Sequence, residues 1–354
     1  MAPDRLIEDV LELARIPAPT FAEEDRIAWI ERRLEGAPGE RRRDAAGNLL
    51  WTWGDGRPVV LVAAHVDTVF PEGTPLDAHV EGDHLAGPGV GDNAAAVAAA
   101  VDVVGRLLAS VELAPGAVAF TVGEEGLGNL RGAIAACEAL RPEAFLALEG
   151  HGLEKVIVDP VGSFRARVVV AGPGGHSWAD RETPSAIHAL FTLGAELTAL
   201  GSAAGPVNVG LVSGGRSVNT IAGRAELVVE MRALDEATLD GFASALEKLA
   251  VPPPLSVSIE LLGRRPSGQL PRDAPLLEAV RAVRAELGLP DRLEAGSTDA
   301  NAALARGIPA LTLGIARGSG MHTLEERIDA GSLELGRKQL ELVLQRLLVT
   351  EASA

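Results

Sequence analysis

The chain has 354 residues, 47% hydrophobic and 23% charged, a length and balance that exclude disorder and favour two domains or one domain with a large insertion. Lys plus Arg number 32 against 49 Asp plus Glu; the net charge of −17 repels nucleic-acid phosphates and anionic lipid, so neither is an expected partner. Cys137 is the single cysteine, which excludes an internal disulfide and fits a reducing compartment. The opening segment, Met1–Val10, carries acids where a secretion signal would be cationic and then apolar. The longest bland stretch, Ala94–Val101, falls short of the ~20 apolar residues of a membrane span. A soluble, cytoplasmic protein is expected.

Residues 5–14 carry Leu6, Ile7, Val10, Leu11 and Leu13 at helical spacing, and 22–34 read as a second amphipathic helix. Val59–Ala64 is a continuous apolar run, the mark of a strand buried on both faces. Asp92 and Asn93 precede an Ala-rich helix over 94–109, and Val118–Val122 and Ala144–Leu148 are further buried strands. This alternation predicts an α/β layer with a largely parallel sheet between helices. From Val161 the grammar changes: strand 164–170, helix 184–200, strands Val207–Val212 and Ala225–Met231, helix 235–249, strand 255–262. That β-α-β-β-α-β order is a ferredoxin-like unit with one sheet face open. Helix 274–287, strand 310–313 and helix 332–348 then resume the first style. The expected organisation is a catalytic domain at 1–160 and 270–354, interrupted by an inserted α+β domain at 161–269.

Acids and imidazoles gather at the ends of these strands, where open α/β sheets bind ligands. His65 and Asp67 follow the first buried strand and point the same way, so the carboxylate can hold the ring; a satisfied core histidine beside a solvated acid is the plainer alternative. Gly87-Pro-Gly-Val-Gly-Asp-Asn93 opens a helix as a dinucleotide loop does, but Asp92 stands where that fingerprint needs Gly and would repel a pyrophosphate. A tight turn presenting Asp92 as a ligand fits better. Glu124 and Glu125 diverge as neighbours, so one can bind a metal while the other faces its water; two surface acids are the bland alternative. Glu149 ends another strand, and His322 lies in the glycine-rich loop Gly318-Ser-Gly-Met-His-Thr323. Two imidazoles and three carboxylates suit Zn, with Mn or Co as alternatives, and a shared carboxylate would give a two-metal site.

His65-x-Asp67, Gly89-x-Gly-Asp92-Asn93, Gly123-Glu-Glu-Gly126, Glu149 and His322, in this order, resemble the zinc-dependent family that contains peptidase T, carboxypeptidase G, aminoacylase and succinyl-diaminopimelate desuccinylase. Ser297-Thr-Asp-Ala-Asn301 and Gly307-Ile-Pro-Ala310 look like its C-terminal signature, and the inserted unit like its lid, or dimerisation, domain. The resemblance implies that His65 and Glu149 hold one divalent ion and Glu125 and His322 the other, with Asp92 bridging across a cis Asp92–Asn93 bond. It further implies that Asp67 orients His65 and that Glu124 is the general base. In the lid, Gly174-Gly-His176-Ser177 resembles the family's histidine loop, and Asn219 and Arg232 its substrate-binding pair; alone, Arg232 on a strand reads as an exposed ion pair. Glu149 is usual in the carboxypeptidase and deacylase branches, whereas peptidase T usually carries Asp there. Ser297–Asn301 and the flow of 117–133 look closer to peptidase T.

The expected reaction is hydrolysis of an amide bond in di- or tripeptides by a metallo-exopeptidase, with an N-acyl-amino-acid deacylase or a carboxypeptidase as the alternative. A binding protein that has lost its chemistry would lack Glu124 or a ligand, and none is missing. A homodimer joined through the lid's open sheet edge is expected, and the resemblance suggests that His176 reaches the partner's site.

Overall fold

The computed structural model describes residues 5–202 and 205–349, and the chain divides into two compact units, Met1–Pro160 with Gln269–Ala354, and Val161–Gly268. Met1–Asp4 of the opening segment read from sequence lies outside the described residues, as do residues 203–204 and 350–354.

The first unit opens with helices α1 (Arg5–Ala14) and α2 (Glu24–Arg33). Strands β1 (Glu40–Arg43), β2 (Leu49–Trp53), β3 (Val60–His65), β4 (His79–Glu81) and β5 (His84–Ala86) follow, then helix α3 (Ala96–Ser110). Strand β6 (Gly116–Thr121), helix α4 (Arg131–Leu140) and strands β7 (Ala144–Glu149) and β8 (Val156–Pro160) complete this stretch.

The second unit comprises β9 (Gly162–Ala171), β10 (Gly175–His176), α5 (Ala186–Ala199), β11 (Val207–Gly214), β12 (Thr220–Ile221), β13 (Arg224–Ala233), α6 (Glu236–Glu247) and β14 (Ser256–Arg265). Its long strands are antiparallel in the order β11-β13-β9-β14, the ferredoxin-like arrangement. Period two explains its one-sided core: Ala225, Leu227, Val229 and Met231 pack with Leu190, Leu193, Leu239 and Phe242 of the two helices, while Glu226, Val228 and Glu230 occupy the other face. The Asp235 side chain caps α6 by accepting from the Thr238 backbone N–H.

The chain returns to the first unit with α7 (Pro275–Glu286), β15 (Leu293–Gly296), α8 (Ala300–Leu304), β16 (Ala310–Gly314), β17 (Gly318–Ser319), β18 (Arg327–Asp329) and α9 (Ala330–Leu348). Its eight-stranded sheet runs β1-β2-β6-β3-β7-β16-β8-β15, with β6, β3, β7 and β16 mutually parallel at its centre. Alternate residues of these strands enter different layers. Val60, Val62, Val118, Leu146 and Leu311 join the core under α1, α3, α7 and α9, while Leu61, Ala63, Ala119, Phe145 and Ala310 join that under α4 and α8. Burial on both faces is why these strands read as unbroken apolar runs. The Val90–Ser110 stretch is longer than the Ala94–Val101 segment read from sequence, and by length and composition it could cross a membrane. Here it serves the core: Ala94–Val101 is buried throughout.

Candidate metal centre

Because β3, β6, β7 and β16 run parallel, their carboxyl ends fall on one edge of the sheet. His65 is the last residue of β3, Glu149 the last of β7, and Glu124 and Glu125 follow β6. Asp92 arrives on the wide turn Val90–Ala95 that leads into α3, where it and Asn93 leave helical geometry (φ −99° and −130°) and are joined by a cis peptide. Asn93 pins this turn to β7 by donating to the Leu148 carbonyl at 3.0 Å and accepting from the Gly150 N–H at 2.8 Å. His322, at φ +67°, comes from the loop after β17.

Asp92 sits between two imidazoles. Its Oδ1 is 3.1 Å from His65 Nε2 and its Oδ2 is 2.9 Å from His322 Nε2. His65 Nε2 also faces Glu149 Oε2 at 3.5 Å, and His322 Nε2 faces Glu125 Oε1 at 3.2 Å. The five side chains thus form two triplets, His65–Asp92–Glu149 and His322–Asp92–Glu125, that share one carboxylate. Donor atoms of His65, Asp92 and Glu125 lie within 4.8 Å of one another. Asp92 Oδ1 is buried without a hydrogen bond, a full-strength donor atom with only an imidazole nitrogen before it. A donor set of imidazoles and carboxylates around such an atom fits divalent cations.

The electrostatics express the same need for positive charge. Burial disfavours the His65 imidazolium, yet Asp67, Asp92 and Glu149 outweigh it and raise its pKa well above the ordinary value. Hydrogen bonding to Asp92 and Glu125 lifts His322 to about 10 despite partial burial. Burial would raise the Asp92 carboxyl, but His322 and His65 hold it far below the usual range. Burial raises Glu149, which His65 only partly offsets.

Asp67 has a broader task than orienting His65. The closer partner of His65 Nδ1 is the Asp67 backbone carbonyl at 3.1 Å, with the carboxylate Oδ1 at 3.5 Å. That carboxylate accepts from the backbone N–H groups of Glu124 (3.0 Å) and Glu125 (2.9 Å) and from Thr20 Oγ1 (2.8 Å). Asp67 therefore steadies the ring chiefly through its backbone carbonyl and the two glutamates through its carboxylate. Glu124 is buried within this loop.

The remaining candidate residues belong to the second unit. A short ladder pairs Gly175 with Ile221 and His176 with Thr220, and the Ser177 N–H donates to the Asn219 carbonyl at 3.1 Å, so the His176 and Asn219 loops lie side by side. His176 Nδ1 accepts from the N–H groups of Trp178 and Ala179, which leaves the ring proton on Nε2. The Asn219 side chain accepts from Ser217 Oγ at 2.6 Å. Arg232 pairs with Glu230 at 3.0 Å, the ion pair that its strand position allows.

Arg26 and Glu326 carry no sequence signal of their part in the site, whereas Asp299 lies within the Ser297–Asn301 signature. Arg26, fully buried in α2, donates to the carbonyls of Ile16 and Val66, and burial lowers its pKa to about 10 against the pull of Asp67, Asp92 and Glu326. Asp299, within Ser297–Asn301, accepts from Thr121 Oγ1 at 2.6 Å and so steadies the end of β6. Glu326 accepts from the N–H groups of Gly89, Gly91 and Asp92. Those are the donors a phosphate would require, and an internal carboxylate occupies them.

A family model described as Peptidase family M20/M25/M40 matches residues 61–346. The chain belongs to this family. Acetylornithine deacetylase of Edwardsiella ictaluri is 26% identical over 72% of this chain and 72% of its own length. A Pyrococcus abyssi protein named as a candidate LysW-lysine/LysW-ornithine hydrolase is 33% identical over 47% of this chain; the match spans 46%, less than half, of that relative. A solved tripeptidase from Staphylococcus aureus shares the fold, with a TM-score of 0.80 and 22% identity over 97% of this chain and 98% of its own. Family membership makes the chain a hydrolase of the peptidase and amidohydrolase type.

Proposed function

We propose that this hydrolase cleaves an amide bond in small substrates bearing a free carboxylate, and that it acts as a di- or tripeptide exopeptidase with two divalent ions. The observation that carries this reading is the Asp92 carboxylate shared between His65 and His322, each with its own second acid. His65, Asp92 and Glu149 would hold one ion, and Glu125, Asp92 and His322 the other; Zn suits the donors best, with Mn or Co as substitutes. When bound, the ions supply Lewis acidity to the scissile carbonyl and to the attacking water.

The chain's own residues do the rest. Glu124 accepts the water's proton on its carboxylate and returns it to the leaving amine nitrogen, a role worth ~10²–10⁴-fold. Asp67 holds Glu124 through its backbone N–H and holds the His65 ring, so base and ligand stay in register. Asn219 and Arg232 bind the substrate carboxylate, for which the guanidinium fork is suited. His176, with its proton on Nε2, donates to the developing oxyanion.

The second reading is an N-acyl-amino-acid deacylase with the same residues, favoured by Glu149 at its position and by the similarity to the Edwardsiella deacetylase. The chain would work as a cytoplasmic homodimer paired through the second unit. Its support is the edge strand β11, where Leu211 and Val212 are 68% and 63% exposed. Hydrolysis of dipeptides, tripeptides and N-acyl amino acids, assayed with Zn, Mn and Co, tests the proposal. Metal-dependent cleavage of short peptides supports the exopeptidase; cleavage of acyl amino acids alone establishes the deacylase; no cleavage of either refutes both.

A further inference from the structure

We propose that Glu326 and His151 are positioning residues that lock three ligand-bearing loops into one register, an inference that rests on the two-ion reading. The Glu326 carboxyl group is wholly buried. Its Oε2 accepts from the Gly89 N–H at 2.6 Å, and its Oε1 from the N–H groups of Gly91 (3.1 Å) and Asp92 (2.8 Å). The Glu326 backbone carbonyl accepts from the Gly87 N–H at 2.8 Å. One residue thus satisfies four N–H groups between Gly87 and Asp92, the segment that presents the shared carboxylate, and one of them belongs to Asp92 itself.

His151 closes the other side, with its Nε2 2.6 Å from Glu326 Oε1. It lies two residues beyond Glu149, and Glu326 four beyond His322. The pair therefore joins the loops that carry Asp92, Glu149 and His322. Glycines let the loops approach. A Cβ at Gly91 would stand 2.3 Å from His151 Nε2, one at Gly318 2.6 Å from the same ring, and one at Gly150 1.7 Å from the Gly91 carbonyl oxygen. Arg26 supplies the nearby positive charge. A carboxylate that accepts several charge-assisted bonds from a glycine-rich turn fixes that turn's backbone, and residues that orient ligands tune metal affinity without touching the ion.

The test is zinc affinity of the full-length protein, by competition against a chromophoric chelator, with the visible absorption of the Co(II)-loaded protein as a readout of ligand geometry. Glu326→Gln keeps the shape but turns an amide N–H₂ toward backbone donors; it should weaken ion binding ~10–100-fold and alter the Co(II) spectrum. His151→Phe should act in the same direction, and the double variant should be no worse than the sum, since the residues share one contact. Should Glu326→Gln fail to fold, His151→Phe carries the test. Asp9→Asn, a buried change at the α1–α2 contact with Arg33, should destabilise the protein and leave zinc affinity unchanged. Variants that fold and bind zinc like wild type with an unaltered Co(II) spectrum overturn the proposal. A wild-type protein that binds no divalent ion overturns it together with the two-ion reading.

Discussion

Replacing Asp67 with Asn tests the joint role of this carboxylate. Asp67 is fully buried, and its two oxygens accept from two backbone N–H groups and one hydroxyl. Asn has one accepting oxygen. If that oxygen takes the place of Oδ2, the side chain still serves Glu125 and Thr20, but its N–H₂ group confronts the Glu124 N–H; the opposite orientation forsakes the other two donors. At least one charge-assisted hydrogen bond is lost, worth ~1.5–3 kcal/mol, and a buried N–H is left unpaired at ~1–3 kcal/mol. These costs overlap, and removing one charge from an acid-rich site relieves some repulsion, so a net loss of ~2–3 kcal/mol is expected. Urea denaturation of chelator-treated protein measures it apart from ion binding. Activity of the reloaded variant should fall as well, because Glu124 loses its backbone anchor. A folding free energy within ~0.5 kcal/mol of wild type, with undiminished activity, would refute the role given to Asp67.

Glu124→Gln should keep its ions and its fold yet lose ~10²–10⁴-fold in kcat, measured with saturating substrate; a fully active variant would place the base elsewhere. Glu125→Gln should instead weaken ion binding at the His322 triplet, read by equilibrium dialysis, and unchanged affinity would remove it as a ligand. In the second unit, burial opposes the Glu230 carboxylate, but Arg232 and Arg165 outweigh it and lower its pKa below the ordinary 4.5. A lowered folded pKa contributes stability that is present above the unfolded value and lost as pH falls through the folded one. The melting-temperature gap between wild type and Glu230→Gln should therefore be full at pH 7 and shrink below pH ~4.5, and a gap that widens in acid would reverse the sign.

The apolar runs were legible because burial on both faces leaves no polar alternation to confuse them: the reading 144–148 became Ala144–Glu149, and 59–64 became Val60–His65. Helix α5 and strands β9 and β13 could be read because one-sided burial imposes a regular period. Strand β1, Glu-Arg-Arg-Arg, could not: all four residues are exposed and only pairing with β2 makes them a strand. Helix α4 is hidden in the sequence between a glycine-rich loop and a proline. In the site, histidines and acids at strand ends announced themselves by type and spacing. Glu326, His151 and Arg26 did not, because a buried polar residue looks like a surface one until folding brings its partners: Glu326 meets His151 from 175 positions away, and Arg26 meets the Val66 carbonyl from 40. The Asp67 carboxylate likewise proved to hold Glu124 and Glu125, a contact between segments 57 residues apart.

The central claim is a pair of cations that share Asp92, and metal analysis of wild type, His65→Ala and His322→Ala tests it most directly. Wild type should carry two divalent ions per chain, and each variant should retain about one, since each removes a ligand from a different triplet while Asp92 remains. Full occupancy in both variants, or a wild-type protein that binds no ion when zinc is supplied, would contradict the account.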